Sequence, residues 1–312
     1  MITLNTEKGL VRIESWEDVL SRPGFTVDVD PNSVELKEII GSYKFKDFIK
    51  CGLSTCHQPH GRGYLVVTKD GQETNIGKDC GKTHFSVDFE GMRRAYDREI
   101  TNKERRERLT ALKHQIPAIS QHIEELKKSE YGANWVHKNV KALLEPGKGL
   151  PREVLARIAA LRRSRDGSLT VQRLATKEER DLAEASGQKR AGDPEMYVEE
   201  RAGFIKGVPA LYEENDLRSI VVEKIEAGVE RLAAADIDQL GDRQLADLNK
   251  WATELEPAIK KAEEAVGVGR QLLTRENLSQ LSQFITEKEA NSDYSSFISQ
   301  LPSSGTKDEK AT

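Results

Sequence analysis

All three cysteines of this 312-residue chain, and three of its six histidines, lie in one window, CGLSTCHQPHGRGYLVVTKDGQETNIGKDCGKTH, residues 51–84. Three thiols in so long a chain are not a disulfide framework, which takes even numbers spread over a small secreted domain. The chemistry that fits is a closed zinc site, with four thiolate or imidazole ligands in a tetrahedron. Two close pairs on either side of a hairpin supply such a set economically. Cys51 and Cys56 have four residues between them, with a glycine after the first, and Cys80 and His84 have three. His84 lies one helical turn past Cys80, on the same helix face, which favours it as the fourth ligand. His60, a short loop past Cys56, is the alternative, while His57 adjoins Cys56 and would point away. The competing reading makes the cysteines small core hydrophobes. We expect one structural Zn2+ on Cys51, Cys56, Cys80 and either His84 or His60.

The rest of the chain reads as mainly helical. Residues 1–47 mix short apolar clusters with Pro23, Gly24, Pro31 and Gly41, as a small α+β lead-in. YKFKDFIK, residues 43–50, alternates enough to be a strand. GYLVVTKDGQETNIG carries two β-like runs about a Lys69-Asp70-Gly71 turn, a hairpin signal. From Met92 the period becomes helical. Leu109, Leu112, Ile116, Ile119, Ile123 and Leu126 make a coiled-coil seam, which Pro117 should kink or restart. A second seam runs through Leu245, Leu248, Trp251, Leu255, Ile259, Ala262 and Val266, and the expectation is that it folds back antiparallel on the first. RENLSQLSQFI, residues 275–285, reads as a short amphipathic helix. SGQKRAGDPE, residues 186–195, is the most loop-like stretch and the expected internal boundary. The fold class expected is therefore mainly α, with a small α+β zinc-binding N-terminal module, long antiparallel coiled-coil-like helices and short helices. The expected domains are the 1–47 lead-in, a 48–91 zinc module, a basic helical region at 92–190, an acidic one at 191–300, and a disordered tail at 301–312.

The order knuckle, hairpin, helix, with a ligand pair at each end, resembles the treble-clef zinc fingers over about residues 48–95. Within it NIGKDCGKTH, residues 75–84, is similar to the C-terminal half of the HNH endonuclease motif. Asn75 and His84 have the HNH spacing, Cys80 matches the first thiol of the zinc pair, and Thr83 stands where the second would be. The resemblance implies a nuclease, but the strand GYLVVTKDG lacks the histidine that would serve as general base. A His84 on zinc would not serve a nuclease metal either. Phosphate-loop, nucleophile-elbow and deaminase signatures are absent from the sequence.

Charge supplies the remaining clue. The net charge is −4, so polyanion binding would need a local basic face. Lys44, Lys46, Lys50, Arg62, Lys69, Lys78 and Lys82 crowd the window or its flank, and MRRAYDREITNKERRERL follows with Arg93 and Arg94 at its head. Residues after 193 lean acidic. The bland account of the basic helix is a solvated face laced with ion pairs; the sharper one is a phosphate-facing surface built on Arg62, Lys69, Lys78, Lys82, Arg93 and Arg94. Tyr64 and Phe85 are the aromatics weighed for stacking on bases, though small-core packing is the commoner use of both. The expectation is a non-catalytic, cytoplasmic zinc-finger protein of bacterial or phage type. Its basic half would bind nucleic acid or a nucleic-acid-associated protein, its seams would allow homo-oligomers, and no apolar run is long enough for a membrane. The alternatives are a protein–protein inhibitor or adaptor in which zinc is a staple, and an HNH-like nuclease.

Overall fold

The computed structural model describes residues 2–6, 9–147, 149–186 and 196–304. The expected boundary at 186–195 lies, apart from Ser186, outside the described residues, as does the expected tail from residue 305 on; the first four residues of that tail are described, and Leu301 is buried with its N–H donated to Ile298 O at 2.9 Å. The chain divides into two units: residues 1–114 with 235–250, and residues 115–234 with 251–312.

In the first unit β1 (Ile2–Thr6), β2 (Gly9–Ile13), β3 (Leu36–Lys50), β4 (Pro59–Thr68) and β5 (Glu73–Gly77) form an antiparallel sheet in the order β2-β1-β3-β4-β5. The expected hairpin is there, as β4 and β5, with Tyr64 opposite Ile76 and Val66 opposite Thr74. The strand expected at 43–50 is the C-terminal half of β3. Ile2 pairs with Tyr43 and Tyr43 with Gly63, so the lead-in and the hairpin share a single sheet.

Alternation along these strands feeds two cores. Leu36, Ile39, Cys51, Leu53, Val66 and Ile76 pack with Phe89, Tyr96 and Ile100 of α2 (Lys78–Lys128). Ile2, Leu4, Tyr43 and Leu65 pack with Val19 of α1 (Trp16–Leu20) and with Trp16 itself. Removing these side chains from water is the main stabilising contribution, roughly 1.5–3 kcal/mol for each large one.

The helix that carries Cys80 begins at Lys78, well before Met92, and the long helical run that follows is interrupted where no proline stands. Ser86 has φ 52° and ψ −129° inside α2, whereas Pro117 sits exposed on a turn that continues unbroken. The kink expected at Pro117 is therefore at Ser86. The antiparallel pairing of the two seams is also corrected. Residues 235–241 run back along α2, as Lys113 Nζ donates to Ala235 O at 2.6 Å and Arg106 to Leu240 O at 3.1 Å. The chain then reverses into α7 (Asp242–Leu272). Asn102 donates to Asp242 at 2.7 Å and Asn249 donates to Arg105 O at 3.2 Å, so both helices ascend together. Leu109, Leu245 and Leu248 are buried in this unit.

The second unit repeats the parallel order. His122 Nε2 lies 2.8 Å from Glu263, and Arg270 donates to Tyr131 O at 2.9 Å. Around these segments stand α3 (Ala133–Leu144), α4 (Arg152–Ser164), α5 (Lys177–Ala185), α6 (Ala227–Ala234), α8 (Arg275–Ser279) and α9 (Lys288–Ser299). The helix expected at 275–285 is α8 and a following 3-10 turn. An antiparallel pair of strands, β6 (Ser168–Leu174) and β7 (Tyr197–Phe204), occupies ground expected to be helical. No helix among the described residues is long and apolar enough to cross a membrane.

Candidate metal centre

The site is built where β3 ends. Cys51 donates its N–H to Gln58 O at 3.2 Å, and Gly52 donates to Asn75 O at 2.8 Å. A tight turn follows, in which Cys56 N–H reaches Leu53 O at 3.1 Å, and His57 leaves it with φ 51°. This knuckle is pinned from outside by Val29, which donates to Gly52 O at 2.9 Å and accepts from Ser54 N–H at 3.0 Å. Gly52 is required by contact: a Cβ there would collide with Thr74 Oγ1 on β5. β5 then delivers the chain into α2, whose first turn carries Cys80.

The three thiols converge. The Sγ atoms of Cys51, Cys56 and Cys80 all lie within 4.8 Å of one another, with Cys56 and Cys80 at 3.1 Å. Thiolates about 2.3 Å from a tetrahedral zinc stand about 3.8 Å apart, so sulfurs already gathered to this degree need move little to hold an ion. Cys51 is buried while Cys56 and Cys80 are half-buried.

Their acidities diverge. Burial pushes the Cys80 thiol up to about 12, and its two sulfur neighbours add to the shift. Burial raises Cys51 as well. At Cys56 burial also acts upward, but hydrogen bonds from Cys80, the Gln58 backbone and Cys51 outweigh it and hold the thiol below its ordinary value. A metal taken up by this set displaces thiol protons.

The imidazoles stand apart from the cluster. His60 is engaged at both ring nitrogens: Nε2 is 2.5 Å from Tyr43 Oη and Nδ1 is 3.1 Å from Gln58 O. Asn75 completes that network, donating to Tyr43 Oη at 3.1 Å and to Lys50 O at 2.9 Å. His57 pairs with Asp28 at 3.1 Å. His84, half-buried one turn along α2 from Cys80, is not among the atoms within 4.8 Å. The buried Asn75, the residue that matched the HNH motif, spends its amide on clamping the knuckle to the hairpin.

The basic candidates scatter in role. Arg62, Lys78 and Lys82 are exposed and form ion pairs with none of the described acids. Lys69 is tied to Glu35. Arg93 is 18% exposed and held between Glu90 at 3.1 Å and Asp97 at 2.9 Å, as an i,i+3/i,i+4 ladder would have it. Arg94 projects outward and reaches Glu90 at 3.9 Å. Tyr64 packs edge-on against Phe89 and Tyr96, and Phe85 packs into the same core, so both are core residues. Among the described aromatics of the first unit, the exposed one is Phe48, 71% exposed on β3, a residue passed over in the sequence although KFKDFIK alternates plainly. No family model, no curated protein and no solved structure matches the chain.

Proposed function

We propose that the first unit is a zinc-stabilised nucleic-acid-binding module, treble-clef-like in its order of parts, with a structural rather than a catalytic ion. The observation that carries this reading is the convergence of all three thiols of the chain on the junction of knuckle and helix, with the exposed cations Lys78 and Lys82 two residues before and after Cys80 and the exposed Arg62 on β4. Three soft thiolates suit Zn2+. His84 supplies the fourth donor by a side-chain rotation on the turn it shares with Cys80, and His60 stays with Tyr43. Zinc then cross-links β3 to α2 and fixes the direction of the cations. The nuclease alternative is less well supported because the amide of Asn75 is already bonded to Tyr43 and Lys50.

The test couples metal to binding. Purified protein should carry one zinc per chain, and cobalt substitution should give a spectrum of three sulfurs and one nitrogen that changes in His84→Ala. Affinity for nucleic acid should fall steeply with salt, and the triple variant Arg62→Gln, Lys78→Gln, Lys82→Gln should flatten the log–log slope by about one unit per charge removed. A metal-free protein, or a slope unaltered by the triple variant, refutes the reading.

A further inference from the structure

The register of β3 against β4 jumps from Lys44 opposite Arg62 to Ile49 opposite His60. Residues 45–48 of β3 therefore face a single residue, Gly61, across the sheet. A bulge of this kind bends a strand outward and re-aims its side chains, and bulges cluster at binding sites. What this one presents is specific. Phe45 and Ile49 turn into the core around Tyr43. Lys44, Lys46, Phe48 and Lys50 alternate with them and are exposed, as is Arg62. Asp47 is the one acid in the stretch.

Phe48 is 71% exposed on the bulge, and its cationic neighbours suit the stretch to a polyanion. An exposed ring with cations on either side of it in the chain offers what an extended single strand needs, a surface for a base and partners for its phosphates. Duplex DNA offers no exposed base face to an aromatic ring, whereas an unpaired strand does, and one stacked base per aromatic is the usual arrangement.

We propose that the β3 bulge is a single-stranded nucleic-acid platform, in which Phe48 stacks on a base and Lys44, Lys46, Lys50 and Arg62 hold the flanking phosphates. This rests on the reading of the first unit as a nucleic-acid binder and names its substrate class and contact residue.

The experiment uses full-length, zinc-loaded protein and fluorescein-labelled oligothymidylate and oligouridylate of about twelve nucleotides, within the usual range of single-strand site sizes. A duplex of the same length and heparin serve as base-paired and base-free controls. Phe48→Ala should weaken single-strand binding roughly ten- to hundredfold, with duplex and heparin affinities and the salt slope unchanged. Phe48→Trp should restore binding, and its indole emission should be quenched when the strand is added. The tighter of the two oligomers identifies DNA or RNA as the source. Single-strand affinity unchanged in Phe48→Ala, with the salt slope intact and sensitive to the triple cation variant, overturns the platform and leaves the charge-based reading standing. An equal loss toward heparin also overturns it, because the ring would then be acting through the fold. Salt-independent or absent binding by the wild-type protein overturns both.

Discussion

The ring of Phe89 lies where a side chain at residue 81 would have to go, so a Cβ at Gly81 meets the ring directly. Phe89 is fully buried and also packs edge-on against Tyr64, so it has nowhere to retreat. Alanine at a helical position normally gains about 1 kcal/mol over glycine. Here the collision should reverse the sign and Gly81→Ala should cost about 1–3 kcal/mol in denaturant unfolding. In a Phe89→Leu background the same substitution should become nearly neutral; a cost unchanged by Phe89→Leu would mean that the contact does not set it. The thiols of the candidate site were legible for a chemical reason: few side chains make good metal ligands, and this chain puts its whole supply of thiols in one window. The imidazoles were not legible in that way, because a histidine's orientation depends on what else bonds it. Tyr43 and Asp28, which hold His60 and His57, lie 17 and 29 positions away in the sequence.

At the scale of elements, α2 breaks at a serine and keeps helical φ/ψ at a proline. Pro117 is exposed and lies inside the helical run Lys78–Lys128, whose one residue with non-helical φ/ψ is Ser86. The break at Ser86 answers a packing demand instead. The segment after it must turn so that Phe89 reaches back over Gly81 while Val87 is left 82% exposed. Periodicity does not report such a demand, and no glycine marks the place. A non-glycine residue at φ 52° and ψ −129° carries strain of about 1–3 kcal/mol. Ser86→Gly should therefore raise unfolding stability by about 1 kcal/mol after its own entropic cost, and Ser86→Val should lower it by more than that. Equal destabilisation by both would show that the serine hydroxyl matters and the strain does not. Helix direction was hidden for a different reason: a heptad seam reads the same from either end. What reverses the second helix is the short return at 235–241, whose carbonyls at Ala235 and Leu240 are bound by Lys113 and Arg106 of α2.

Over the whole molecule, each unit is assembled from two separate stretches of chain, so neither is a contiguous block that could be cut out at one position. Sequence reading divides the N-terminal part at residue 47 because the Cys/His window begins just after it; the sheet does not, because β3 pairs with β1 on one side and β4 on the other. The helical character of the remainder was readable from its period, while the β6–β7 strand pair was not, since SLTVQRL and YVEERAGF have few apolar residues to alternate. This organisation decides what removing the metal should do. The knuckle at 51–57 has little apolar mass of its own and depends on Val29, Asn75 and the thiols. Leu36, Ile39, Val66, Ile76 and Phe89, by contrast, form a core that requires no ion. Binding free energy of a structural zinc is stabilisation of whatever it cross-links. Chelation should therefore loosen residues 51–58 and the first turns of α2, with backbone hydrogen exchange there rising at least tenfold. The central strands β3 and β4 around Ile39 and Val66 should stay protected, and so should α3 and α4 in the second unit. Exchange mass spectrometry with and without chelator reads all of these in one experiment. If protection is lost across the whole sheet, the ion holds the first unit together rather than its knuckle alone. If nothing changes at 51–58, no metal was cross-linking β3 to α2.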